Sequence, residues 1–256
     1  NDQGNTGSGG VLSDTDTIII TVDAVNDAPV HTVPIAQTVN EDTDLVFNVG
    51  TRISLVDVDS STADVITTLS VNDGILTLAS EANLAVTGNG SGLITLTGTV
   101  SDINAALNHL TFRGDLNFNG SSTLTISTDD QGNTGSGDAL SDTDTIAITV
   151  TAVNDAPVHT VPVGQTVDED TDLVFSDVTR ISVVDVDSST DSIVTTLSVT
   201  DGVLTLGSQE NIAVTGNGSG SLVLIGSVSD INAALENLTF RGNLNFNGSS
   251  TLIIST

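Results

Sequence analysis

The 256-residue sequence contains no cysteine, methionine, tryptophan, tyrosine or lysine, and phenylalanine, present six times, is its only aromatic residue. Each absence closes a route. Without Cys a disulfide scaffold is excluded, although an extracellular location is not. Without Lys a Lys–Asn isopeptide cross-link cannot form, and without Trp or Tyr a sugar-binding face lacks its usual platforms. Four Arg stand against 33 Asp and Glu, a net charge of −29. Such a surface attracts cations and repels nucleic acid and anionic membranes. No apolar run approaches the length of a bilayer span, so membrane insertion of this segment is not expected. There is no Ser-His-Asp order or phosphate-binding Gly motif, and no carboxylate pair is set apart for glycoside hydrolysis, so no catalytic role is expected.

What remains is foldable. Apolar residues make up 38% of the chain and mean hydropathy is +0.21, unlike a disordered acidic tail. The cores must be built of Val, Ile, Leu and Phe. The stretch VNDAPVHTVP occurs at 25–34 and again at 153–162, an offset of 128 residues. At that offset 2–9 recurs as 130–137 and 116–120 as 244–248, with no gap. Long-period self-similarity of this kind marks an array of like domains. Residues 1–26 therefore read as the C-terminal end of a preceding repeat, 27–154 as a complete repeat, and 155–256 as a second repeat lacking its last strand. Over the shared length the two repeats are about three-quarters identical.

Within the complete repeat, short alternating runs are divided by turn residues every ten or so positions, the pattern of a sandwich. Strands are predicted near 34–39, 44–49, 52–57, 64–72, 74–79, 84–88, 93–100, 110–114, 122–128 and 143–152. Asn72-Asp73-Gly74 and Asn89-Gly90 predict tight hairpins. Ser101-Asp102 is expected to cap a short helix with Ile103, Ala106, Leu107 and Leu110 on one face, closing one end of the sandwich. Phe47, Phe112, Leu96, Leu107, Ile146 and Ile148 are the expected core. The fold class is all-β: tandem Greek-key sandwiches strung end to end.

Acidic residues gather in short loops: Glu41-Asp42-Thr43-Asp44, Asp57-Val58-Asp59, Asp129-Asp130 and Asp142-Thr143-Asp144. Only five of the 33 are Glu, and the short Asp side chain suits loop-held oxygen cages for a hard cation such as Ca²⁺. Solubilising surface charge is the competing explanation. If strands alternate up and down, Asp57, Asp59 and Asp129 return to the end that carries Asn26 and Asp27, and Glu41 falls at the other end. Pro29 fixes its own φ and holds Ala28 extended, making a stiff elbow after Asn26 and Asp27. His31, His109 and His159 are isolated in sequence and read as exposed or hydrogen-bonded rather than as a transition-metal set.

DAVNDAPV at 23–30, VDVDSST at 56–62 and 184–190, DINAAL followed by LTF, NFNGSSTL and SDTDTI together resemble the cadherin-like, immunoglobulin-like tandem repeats of large bacterial surface adhesins. The second linker carries Thr151 where the first has Asp23. By position, the resemblance implies shared calcium at Glu41, Asn154, Asp155, Asp185 and Asp187 for one junction, and at Asn26, Asp27, Asp57 and Asp59 for the one before it. It also implies a secreted, cell-surface or extracellular-matrix protein whose partners are neighbouring repeats. Two alternatives stay open: a filament subunit joined to other copies head to tail through residues 13–23, and a module binding glycan or protein.

Overall fold

Strand alternation and hydrophobic burial account for almost every element. The computed structural model describes residues 1–4, 7–60, 62–133, 135–188 and 190–256, in two units, Asn1–Ala152 and Val153–Thr256. Unit one contains β1 (Val30–Thr32), β2 (Gln37–Asn40), β3 (Asp44–Val46), β4 (Ser54–Val56), β5 (Asp64–Val71), β6 (Gly74–Thr77), β7 (Ala85–Thr87), β8 (Leu93–Thr99), α1 (Val100–Leu107), β9 (Thr111–Gly114), β10 (Gly120–Asp129) and β11 (Ser141–Thr151). A six-stranded sheet runs β2-β11-β10-β5-β8-β7, faced by the three-stranded sheet β3-β9-β6 and the pair β1-β4. Inward positions two apart on β5, β8, β10 and β11 bury Val65, Leu69, Ile94, Leu96, Leu124, Ile126, Ile146 and Ile148, and the facing layer adds Phe47, Leu76 and Phe112. All six expected core residues are at most 1% exposed. Burying a side chain of this size stabilises by about 1.5–3 kcal/mol relative to leaving it in water.

The local departures have local causes. The first strand is 30–32, paired antiparallel with β4, and not 34–39. Pro34 has no N–H to offer a ladder, and regular pairing resumes only at Gln37. Asn72-Asp73-Gly74 is not a hairpin, because it carries the chain from β5 in one sheet to β6 in the other. Gly74 is needed there since a Cβ would lie 2.5 Å from Arg113 O. Asn89-Gly90 does connect paired strands, but the last pair before it is Thr87↔Thr95, so the loop is longer than a two-residue turn. The helix is capped two residues earlier than expected, at Thr99. Thr99 Oγ1 accepts the Asp102 N–H at 3.2 Å, and the Thr99 hydroxyl donates to Asp102 Oδ2 at 2.7 Å. The Thr99 contact is the first cause holding Asp102 below the ordinary carboxylate range, with Asn83 adding to it. Ile103, Ala106 and Leu107 are buried on the helix, with Leu110 buried just beyond it.

Unit two repeats the plan with β12 (Val158–Thr160), β13 (Asp172–Phe175), a 3₁₀ turn (Asp177–Thr179), β14 (Ser182–Val184), β15 (Ile193–Val199), β16 (Gly202–Thr205), β17 (Ala213–Thr215), β18 (Ser221–Gly226), α2 (Val228–Leu235), β19 (Leu238–Gly242) and β20 (Leu252–Ser255). Its sheets are β17-β18-β15-β20, β13-β19-β16 and β12-β14. Residues 13–23 form no strand among the described residues, and β11 holds its own place in unit one across ten paired positions with β10.

Candidate functional site

The antiparallel β10–β11 ladder sets the two ends of unit one. Asp129 faces Ser141 at one end and Gly120 faces Val150 at the other. At the Asp129 end, the chain entering from the linker meets the turn after β4. The Asp27 N–H donates to Asp59 Oδ2 at 2.6 Å, while Asp57 Oδ1 accepts the N–H groups of Asp59 and Ser60 at 3.0 and 3.1 Å. This uses one oxygen of Asp57. The other, Oδ2, is buried and has no hydrogen-bond partner among the described residues.

Asn26 is drawn into the fold instead. It is 7% exposed and its Nδ2 donates to Asp130 Oδ2 at 2.7 Å and to Asp138 O at 3.1 Å. Asp129 itself turns outward and accepts the Gln131 N–H at 2.7 Å, so its neighbour Asp130 is the acid that joins Asn26. For Asp130, burial pushes the pKa up, but the N–H groups of Leu140 and Gly132 and the Asn26 amide outweigh it and leave the carboxyl below its ordinary range.

Glu41 lies at the other end of unit one, 4% exposed. Its N–H donates to Thr151 O at 2.9 Å and its Oε2 accepts from Asn119 Nδ2 at 3.4 Å. In unit two the linker turn recurs one period on. The Asp155 N–H donates to Asp187 Oδ2, Asp185 Oδ1 accepts Asp187 N–H at 3.1 Å and Ser188 N–H at 3.2 Å, and Asn154 Nδ2 donates to Asp155 O at 3.2 Å. The Asp-x-Asp turn docked on a linker N–H is therefore a repeated construction.

One grouping was not legible from spacing. His31, on β1, lies against Asp142 and Asp144, on β11, with Nδ1 to Oδ2 separations of 3.2 and 3.7 Å. Burial lowers the His31 pKa and the two carboxylates act against that shift. The signal was present in the SDTDTI motif, because acids two apart on a strand share a face. His109 is exposed, at a positive φ of 65°, and His159 Nε2 lies 2.9 Å from Thr256 Oγ1. Arg113 pairs with Asp44 and Arg241 with Asp172, each at 3.1 Å and about half exposed, contacts of little energetic weight.

No family model matches the chain, and no curated protein matches it. Among solved structures it is similar to CaCohA2 from Clostridium acetobutylicum, with 17% identity, TM-score 0.32, and coverage of 49% of this chain and 92% of that one. It is similar to AggA, the major subunit of aggregative adherence fimbriae type I from Escherichia coli, with 18% identity, TM-score 0.28, and coverage of 51% and 100%. Mouse cadherin-23 EC22-24 aligns over 91% of this chain and 66% of its own, with 15% identity and TM-score 0.26. Among the described residues no helix is long and apolar enough to cross a membrane.

Proposed function

We propose that the chain is an extender segment of a bacterial adhesin or extracellular fibre, secreted or held at the cell surface, whose sandwiches are stiffened by calcium. The observation that carries this reading is the Asp57-x-Asp59 turn, docked on the linker at Asp27, with a buried Asp57 oxygen that no donor among the described residues satisfies. The donor set is all oxygen, which fits a hard cation of six to eight ligands. Asp27, Asp57 and Asp59 would hold it in unit one, and Asp155, Asp185 and Asp187 are the corresponding acids of unit two. Asn26 would contribute only its carbonyl oxygen, since its amide is committed to Asp130 and Asp138. A bound cation would neutralise the carboxylates and fix the linker peptide to the turn. The role is mechanical, without catalysis.

Extracellular modules of this type bind at roughly 10⁻⁴–10⁻³ M. At 10 mM Ca²⁺ one such site stabilises by about 1.4–2.7 kcal/mol through mass action. Thermal melting in calcium against chelator should therefore show a rise in wild type that Asp57→Asn with Asp59→Asn reduces. Identical curves with and without calcium would defeat the calcium reading.

A second reading, strand donation between copies, is favoured by one observation. Unit two has an open groove of about 580 Å³ lined by Phe175, Ile181, Val199, Phe240, Phe246 and Leu252. Residues 17–22 match the β11 strand one period later, and Ile18, Ile20 and Val22 are 82–88% exposed. Such a strand could lie in the groove as β11 lies in unit one. Concentration-dependent chain growth, abolished by Ile18→Asp with Ile20→Asp, is the expected result, and a strictly monomeric wild type at high concentration would exclude it.

A further inference from the structure

The two ring nitrogens of His31 meet different surroundings. The side chain is wholly covered. Nε2 lies 2.8 Å from Thr128 Oγ1, which lies 2.8 Å from Thr67 Oγ1, a buried chain of hydroxyls that suits an N–H donor at Nε2. Nδ1 has no hydrogen-bond partner among the described residues. It points instead at Asp142 Oδ2 and Asp144 Oδ2, 3.2 and 3.7 Å away, and the three ligand atoms lie within 4.8 Å of one another. With the ring proton on Nε2, the Nδ1 lone pair faces two carboxylate oxygens and is repelled by both unless a positive centre, a proton or a cation, stands between them.

We propose that His31 Nδ1, Asp142 Oδ2 and Asp144 Oδ2 form a binding site for a divalent transition-metal cation of the zinc type, with solvent completing the coordination. Bonds of about 2.0–2.1 Å in a tetrahedral site put neighbouring ligand atoms about 3.3 Å apart. Asp142 already stands near that separation, and Asp144, whose side chain is 41% exposed, has room to close the remainder. Nε2 on Thr128 is the outer hydrogen bond that fixes tautomer and ring plane in histidine metal sites. The imidazole separates this site from the all-oxygen turns, because nitrogen donors favour zinc-like cations and Ca²⁺ prefers oxygen.

The site would clip together two strands that no ladder joins. Among the described residues β1 pairs in a ladder only with β4, and the His31 N–H reaches across to β11 by donating to Asp142 Oδ2 at 2.8 Å. A cation there ties the first strand of the sandwich to its last. The parts recur with the repeat: His159, Thr256 and Thr195 make the same relay at 2.9 Å per step, and Asp14-x-Asp16 is the acid pair one period earlier.

The test uses the full chain in 10 mM Ca²⁺, which would occupy the proposed oxygen sites, and titrates Zn²⁺ by calorimetry. One equivalent of Zn²⁺ is expected, with affinity falling at least tenfold in Asp144→Asn while its circular dichroism stays that of wild type. Nitrogen NMR of the same sample should move His31 Nδ1 on Zn²⁺ addition and leave Nε2 protonated. Absence of Zn²⁺ binding by wild type, equal affinity in Asp144→Asn, or a shift at Nε2 instead would each overturn the site.

Discussion

Asn104 ties the short helix to the sandwich, and its removal should be felt in one unit only. Its Oδ1 accepts the Leu55 N–H at 2.8 Å and its Nδ2 donates to Leu55 O at 2.7 Å. The side chain thus acts as a partner strand for the edge of β4 that β1 does not cover. Leu55 is 1% exposed, so Asn104→Ala leaves a donor and an acceptor away from water. At about 1–3 kcal/mol for each unsatisfied group, with some relaxation, the pair costs roughly 2–4 kcal/mol. For a domain of this size 1 kcal/mol shifts melting by roughly 4 °C, which gives a fall of about 8–16 °C. Unit two supplies the internal reference, because Asn232 holds Val183 in the same way at 2.9 and 2.8 Å. Scanning calorimetry of Asn104→Ala should lower one transition and leave the other, and Asn232→Ala should do the converse. Asn104→Asp keeps the acceptor but sets a carboxylate oxygen against Leu55 O, so it should be no milder than Ala. A fall below about 3 °C in both Ala variants would refute the reasoning.

Asp130 makes stability pH-dependent. Its folded pKa is depressed from 3.8, with burial opposing and the Leu140, Gly132 and Asn26 donors prevailing. Its contribution is therefore present above pH 3.8 and lost as pH falls through the lower folded value; acid unfolding of Asp130→Asn should lack that component, and an unchanged acid limb would dismiss it. Gly88 has φ +78° and a Cβ there would sit 2.0 Å from Leu93 O, so Gly88→Ala should destabilise by about 2–4 kcal/mol in denaturant titration. Gly216, at 2.1 Å from Ser221 O, should respond alike, and neutrality at both would contradict the loop geometry.

The sandwich was legible because its signals are local. Period-two alternation on 64–71, 93–99, 120–129 and 141–151 names both the strands and their buried faces: of the six chosen core residues Leu96, Ile146 and Ile148 lie on those faces, Phe47 and Phe112 in the layer opposite, and Leu107 on the helix. Turns were less legible. Asn72-Asp73-Gly74 has hairpin chemistry, but its three residues cannot say whether the chain returns beside itself or crosses to the facing sheet. The helix cap went to Thr99 because that residue alone stands three before an Asp and at the end of a strand. Site geometry followed the same division: Asp57 and Asp59 share a turn and were readable, whereas His31 meets Asp142 and Asp144 only through contacts 111 and 113 residues apart, which no spacing rule encodes.

The limit of local reading is sharpest at Gln37–Asn40. That stretch is a strand in unit one, and residues 165–168, which share Gln-Thr-Val with it, form none in unit two. Propensity cannot separate two copies so alike. The difference is the partner: β2 pairs parallel with β11, Ile148 facing Gln37 and Thr151 facing Asn40, and no strand among the described residues occupies the place beside β20 that β11 holds beside β10. A strand at a sheet edge exists by virtue of the ladder next to it. It follows that whatever fills the groove beside β20 should also convert 165–168 into a strand, burying Val167 as Val39 is packed against the core of unit one. Hydrogen exchange at 165–168 thus reports occupancy of the groove: slow amides there on addition of a 13–23 peptide would show the sheet extending by two strands at once, and fast amides despite bound peptide would mean that the second strand needs something other than its neighbour.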